Sequence, residues 1–263
     1  MLESNKERIE IFEVPPDFRL LNSLEIYNKS QDLMDRIDAD FRKRNISMPN
    51  TSKHTVLNMK KIKIYKEKID FILNISDYPH YVYTQENHSS KNICRSMSSV
   101  ALLETSDNYF ILVKTSKHSL YPDLYQCISA LIDINDCDST MKKYMDPKKT
   151  IMRQLKKELN INIKNDNRSD SIECKKLIVG KNMSSIDFFY HINIEYSKEE
   201  MKNIFEKADS YEVEQIVFIK NNKKDIINFM GKENIKTAEY IKELFYRKSD
   251  DNSFLDYLKQ HSS

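Results

Sequence analysis

Asp146-Pro147 opens an amphipathic helix set among extended apolar runs, and this arrangement narrows the folds open to the chain. Aspartate is a good N-cap, and proline suits the first helical turn because its missing N–H has no partner there anyway. Ile151, Met152, Leu155 and Leu159 then fall on one stripe, with Lys148, Lys149, Lys156 and Lys157 mostly off it. Before the helix, Ser99–Leu103 and Tyr109–Val113 flank Thr105-Ser106-Asp107-Asn108, a turn sequence between two buried strands. Leu124–Asp133 is a further extended run, followed by a polar, loop-like stretch from Asp136 to Asp146. After the helix come strands at Cys174–Val179, Asp187–Ile194 and Gln215–Ile219. Ser197-Lys198-Glu199-Glu200 is a capping box for a helix running to Phe205. Two C-terminal helical segments are centred on Ile226 and Phe229, and on Ala238 to Phe245.

Upstream, the pattern is less regular. The stretch to about residue 45 reads as helical or irregular, broken by Pro15-Pro16, with Leu33, Met34, Ile37 and Phe41 at helical spacing. Thr55–Tyr65 and Ile69–Ile75 read as two strands of a hairpin joined through Lys66-Glu67-Lys68, and Tyr78–Ser90 as a polar connection. Strands and helices in this order form an α+β mixture, compatible with a mixed sheet between helices. The expected organisation is an N-terminal helical and β-rich domain over 1–95, a second domain over 96–248, and a tail over 249–263.

Composition removes several function classes. With 42 Lys+Arg against 40 Asp+Glu, the formal net charge is +2. That balance gives no electrostatic case for nucleic acid or an anionic membrane as main partner. No apolar run approaches the ~20 residues of a membrane helix. The charged start Met1-Leu2-Glu3-Ser4-Asn5-Lys6 lacks a signal-peptide hydrophobic stretch, so a cytoplasmic location is expected. Cys94, Cys127, Cys137 and Cys174 form no C-x-x-C pair, and reduced, packing thiols are the expectation. None of the histidines stands in an H-x-E or H-E-x-x-H pairing. The chain contains neither a G-x-S-x-G elbow nor a G-x-x-x-x-G-K-[ST] phosphate loop.

The run Arg153-Gln154-Leu155-Lys156-Lys157-Glu158-Leu159-Asn160-Ile161 resembles the R-E-U-x-E-E-x-G-U end of the Nudix hydrolase box, where U is aliphatic. Arg153, Leu155, Glu158 and Ile161 match it. Gln154 and Lys157 stand where that family keeps glutamates, and Asn160 where it keeps glycine. Other stretches resemble the Nudix group of UDP-sugar hydrolases that carry a small β-rich domain ahead of the Nudix domain. They are Lys53–Leu57, Ser76–Tyr81 with Tyr83-Thr84-Gln85, Ala101–Asn108 and Glu212–Phe218. The resemblance implies a Nudix fold after a small β-rich domain, and a diphosphate or nucleotide sugar as ligand. It also implies Mg²⁺ held by carboxylates against phosphate oxygens. Glu158 and Asp133 are the candidate metal ligands, and Arg153, Lys157, Lys53 and Glu212 the candidate ligand-binding residues. In place of the group's Pro-Gly-Gly-His-x-Glu-Pro the chain has Ile128-Ser129-Ala130-Leu131-Ile132-Asp133-Ile134, which implies a changed loop.

The departures bear directly on chemistry. Residues three and four apart share a helix face, so glutamates at 154, 157 and 158 would converge on one side. Magnesium takes oxygen ligands in near-octahedral array, and a neutral amide at Gln154 is a poor substitute for a carboxylate. Two unit charges ~4 Å apart interact by ~4 kcal/mol at an effective dielectric of ~20, and a divalent ion doubles that. An ammonium at Lys157 therefore either expels Mg²⁺ or pairs with Glu158 or Glu212 and itself becomes the counter-charge for phosphate. The leading expectation is a pseudoenzyme that binds a nucleotide sugar, another diphosphate or a protein partner. Its rival is an active hydrolase with Glu158, Glu212 and Asp133 as a rearranged metal site and Glu173 or Glu214 as base. A Lys-rich helix with R-x-L-x-x-E-L is also a common surface element, and on that reading Arg153 makes a structural ion pair.

Overall fold

The computed structural model describes residues 9–15, 17–44, 55–66, 68–87, 92–137, 143–163, 172–180, 183–246, 253–254 and 257–258. Among these, twelve strands join into one mixed sheet. Strand β5 (Ser96–Glu104) lies at its centre, parallel to β11 (Ser185–Asn193) and antiparallel to β6 (Tyr109–Thr115) and β8 (Ile128–Leu131). Strand β12 (Val213–Lys220), reached through helix α4 (Lys198–Phe205), and the two-residue β7 (Tyr125–Gln126) both pair with β6. Strand β10 (Cys174–Val179) pairs with β11 and carries β1 (Glu10–Glu13) on its other side. The hairpin of β3 (Thr55–Ile64) and β4 (Lys68–Asp77) joins β5 through Asn58 and Ser96. Strand β2 (Asp17–Ile26) runs parallel to β4 and holds the two-residue β9 (Tyr144–Met145). The class is α+β, with a large mixed sheet between helices.

Period-two alternation in β5 sends its side chains to two different cores. Met97, Ala101 and Leu103 join Ile151, Leu155 and Leu159 of helix α3 (Pro147–Leu159). Val100 and Leu102 join Phe229 and Ile241, from α5 (Lys223–Met230) and α6 (Glu239–Tyr246), on the opposite face. Ile151, Leu155 and Leu159 are fully buried, and each contributes about 1.5–3 kcal/mol of transfer free energy. No helix of the described residues is long and apolar enough to cross a membrane. All four cysteines are free.

Two stretches differ from the sequence reading. Within the stretch read as helical or irregular, Glu10–Glu13 and Asp17–Ile26 form β1 and β2, and among the described residues there Gln31–Lys43 is the helical part (α1). Long-range pairing accounts for this, because β2 gains its hydrogen bonds from β4, fifty residues away in sequence. The guanidinium of Arg19 clamps the buried carboxylate of Asp70 across that pair at 2.8 and 2.7 Å. The connection after Tyr78 begins with a short helix, α2 (Tyr78–Thr84), capped by Asp77 accepting from the His80 N–H at 3.0 Å. Asp77-Tyr78-Pro79 is a helix start of the same kind as Asp146-Pro147, hidden by the tyrosines around it.

Candidate functional site

Helix α3 is fixed at both ends. Asp146 accepts from the Lys148 N–H at 2.9 Å, and Ser99 of β5 donates its hydroxyl to the Pro147 carbonyl at 2.6 Å. At the far end Asn160 takes a left-handed conformation with φ 55°. Asparagine reaches this region more easily than other non-glycine residues, so the position that is glycine in the resembled box is filled without losing the cap. The stretch Ile128–Leu131, where a glycine-rich loop stands in the resembled family, is strand β8, paired with β5 from Ser98 to Ala101.

Arg153 binds Asp136 through two hydrogen bonds, Nε to Oδ1 at 2.9 Å and a terminal nitrogen to Oδ2 at 2.8 Å. Asp136 is almost fully buried and also accepts from the Thr150 hydroxyl at 2.8 Å and the Asp133 N–H at 3.0 Å. This carboxylate holds the Arg153 guanidinium more firmly charged than an ordinary arginine. Asp136 was absent from the sequence-derived candidates. Its signal lay in Ile134–Asp136, a single 3₁₀ turn inside a stretch that reads as loop.

One helical turn further on, Glu158 is completely buried. The Lys157 ammonium lies 2.8 Å from its Oε1, an ion pair without hydrogen-bond geometry. Ser210 donates its hydroxyl to the other oxygen, Oε2, while accepting from the Val213 N–H at 3.0 Å. The same ammonium reaches Glu212 Oε1 at 3.5 Å. Burial pulls the Lys157 pKa down, but the Glu158 and Glu212 carboxylates outweigh it and leave the pKa above the ordinary lysine value. Glu212 is held in place through its backbone, whose carbonyl accepts from Ser116 N–H at 2.9 Å. Lys157 and Glu212 remain about half exposed, at 54% and 51%. Arg153 and Lys157, four residues apart, share a helix face, so two cations stand one turn from each other above a buried acid.

The remaining candidates are dispersed. Asp133 caps the 3₁₀ turn, accepting from the Asn135 N–H at 2.8 Å and its side-chain amide at 2.6 Å. Glu173 pairs with Lys175 at 3.0 Å and Glu214 with Lys114 at 3.1 Å. Gln154 is buried. Lys53 lies outside the described residues. Among the described residues no group of three or more His, Cys, Asp or Glu side chains is arranged to hold a metal ion. These residues do not fit the magnesium site that the resemblance implies. The buried acid already carries an ammonium and a hydroxyl, and Asp133 is committed to a cap.

Aromatic side chains surround this end of the molecule. Tyr78 lies near Glu212, and burial followed by that negative charge raises its phenol pKa. The Tyr78 and Tyr81 rings are 5.7 Å apart along α2. The Tyr121 hydroxyl donates to Gln85 at 2.6 Å, tying the segment between β6 and β7 to the end of α2. His118 stacks on Tyr211 with ring centroids 5.1 Å apart.

No family model matches the chain, and no curated protein matches it. Several solved structures are similar to part of it. The Nudix domain of NrtR from Shewanella oneidensis, solved with ADP ribose, is 14% identical with a TM-score of 0.34. That likeness covers 57% of this chain and 82% of the other. A hydrolase of the Nudix family from Clostridium perfringens is 15% identical with a TM-score of 0.35, covering 57% of this chain and 93% of the other. A bifunctional NMN adenylyltransferase/ADP ribose pyrophosphatase from Francisella tularensis, solved with AMP and a manganese ion, is 14% identical with a TM-score of 0.41. There the likeness covers 70% of this chain but only 47% of the larger one.

Proposed function

We propose that this chain is a Nudix-fold protein that binds a diphosphate, such as a nucleotide sugar, at α3 without efficient Mg²⁺-dependent hydrolysis. The carrying observation is the Lys157 ammonium lodged between Glu158 and Glu212, in the stretch where the resembled box places metal-binding glutamates. A phosphate group approaching this face meets Lys157 and the exposed part of Arg153, and displaces Glu212 as the second partner of the ammonium. Charge-assisted contacts from two cations suit a diphosphate. The sequential match of Arg153, Leu155, Glu158 and Ile161, with Asn160 in the left-handed cap, supports the family reading.

Titration calorimetry with UDP-glucose, ADP-ribose and inorganic pyrophosphate in EDTA tests the proposal. Binding without metal, weakened about tenfold by Lys157→Gln, is the expected result. Binding that requires Mg²⁺ favours the rival reading, a hydrolase with a rearranged metal site. Absence of binding under both conditions leaves a protein partner as the role of this surface.

A further inference from the structure

The last three residues of β12 border a cleft of about 380 Å³, a volume within the ~300–1,000 Å³ range of small-molecule sites. Its apolar walls are Tyr109 from the start of β6, Phe218 and Ile219 from β12, and Phe229 from α5. Phe218 packs against the core that holds α3, whereas Ile219 and Phe229 belong to the opposite core. Among the described residues the strand partner of β12 is β6, so the cleft wraps around the free edge of β12. Tyr109 and Phe218 are partly exposed, and Ile219 and Phe229 are buried.

Three ammonium groups stand around these rings. Lys198 opens α4, where its N–H donates to Asp107 Oδ1 at 2.9 Å. Its ammonium lies 4.9 Å from the Tyr109 ring centroid and 5.9 Å from that of Phe218. Lys232, just beyond α5, lines the cleft with its ammonium 5.9 Å from the Phe229 centroid. Lys220 lines it from β12, in register with Tyr109. Among the described residues none of the three has a carboxylate within ion-pair distance. Asp225, the carboxylate in the lining, is already engaged: it accepts from the Asn222 amide at 2.6 Å, and its own N–H donates to Asn222 Oδ1 at 2.9 Å. Positive charge is therefore in excess beside an aromatic wall. Lysines on edge strands keep other strands away. That accounts for Lys220, but not for Lys198 and Lys232, which come from outside the strand.

We infer that this cleft is a second ligand site, for an aromatic ring joined to a phosphate. The ring lies against Tyr109, Phe218 and Phe229, and the phosphate meets Lys198, Lys220 and Lys232. Each ammonium then exchanges a weak contact with a ring face, or with water, for a charge-assisted hydrogen bond. The site is separate from α3. Glu212, the partner of Lys157, precedes β12, and the cleft lies at the other end of this eight-residue strand. At ~3.3 Å per residue the two are roughly 25 Å apart. Failure of one site therefore leaves the other untouched.

Calorimetry on the full chain in EDTA tests the inference. The probes are AMP and O-phosphotyrosine, which join a ring to a phosphate, with adenosine and ribose 5-phosphate each supplying one part alone. The variants are Lys157→Gln, Lys198→Gln and the double substitution Lys220→Gln with Lys232→Gln, each confirmed folded by circular dichroism. The expected result is that AMP or phosphotyrosine binds, with adenosine and ribose 5-phosphate at least about tenfold weaker. The double substitution should weaken that binding about tenfold and Lys198→Gln about threefold, while Lys157→Gln leaves it within about twofold. Which of the two aromatic phosphates binds tells whether a nucleotide or an aryl phosphate is the occupant. The inference is overturned if neither binds, or if ribose 5-phosphate or adenosine binds equally well. It is also overturned if the lysine substitutions at the cleft have no effect, or if Lys157→Gln costs as much as they do.

Discussion

Lys157 and Glu158 are consecutive on one helix, yet the ammonium of the first lies 2.8 Å from Oε1 of the second. Adjacent helical residues ordinarily diverge by about 100° and do not face each other. Here Glu158 points into the protein and is completely buried, while the lysine stem curls over it from the surface. Ser210 and Glu212 complete the arrangement from the segment before β12. A positive charge of the protein's own thus covers an acid that would otherwise be buried with a single hydroxyl.

A double-mutant cycle tests that pairing. Lys157→Met should cost roughly 1–2 kcal/mol, less than a fully buried pair because the lysine is half exposed. Glu158→Gln should lower the loss caused by Lys157→Met, giving a coupling of about 0.5 kcal/mol or more in urea unfolding. Strict additivity would show that Lys157 is not the counter-charge of Glu158. Because the lysine pKa is raised in the folded protein, its contribution is complete below the ordinary lysine range and is lost as pH rises through the folded value.

Asp136 is expected to matter more for stability than any exposed charge on α3. It receives Arg153 through two bonds, the Thr150 hydroxyl and a backbone N–H. Asp136→Ala leaves all of these donors without their acceptor and should cost about 2–3 kcal/mol, discounted because Arg153 is partly in water. Urea unfolding measures it; a loss below about 0.5 kcal/mol would assign Arg153 no structural role.

Asp187 predicts a pH dependence of stability with a definite sign. Burial pushes its carboxyl up to about 6, with the Ser98 hydrogen bond opposing in part. The folded state therefore binds more protons than the unfolded state between the ordinary aspartate value and about 6. Its contribution is present below the ordinary value and is lost as pH rises through the folded value. Over that window the parent should lose about 2–3 kcal/mol relative to Asp187→Asn. Parallel stability curves for the two proteins from pH 4 to 7 would contradict the assignment.

Local signals made the later elements readable in the sequence. The strands at Cys174–Val179 and 215–219, the Ser197–Glu200 capping box and the Asp146-Pro147 start all carry their pattern within a few residues. The sequence reading failed where structure depends on distant partners: β2 owes its existence to β4, and α2 was obscured by its tyrosines. At the site, helical spacing alone placed Arg153, Lys157 and Glu158 near each other. Asp136 and Ser210 lie in short polar connections, whose side-chain directions follow from the packed fold and not from periodicity.

The central claim is that an ammonium, in place of a metal ion, answers the negative charge at α3. Steady-state hydrolysis of UDP-glucose, ADP-ribose and related nucleoside diphosphate compounds, with Mg²⁺ and with Mn²⁺, tests it most directly. The account predicts turnover far below 1 s⁻¹ for every compound, with no gain from either ion. Metal-dependent hydrolysis at about 1 s⁻¹ or faster, within the ordinary range of enzymes, would contradict it.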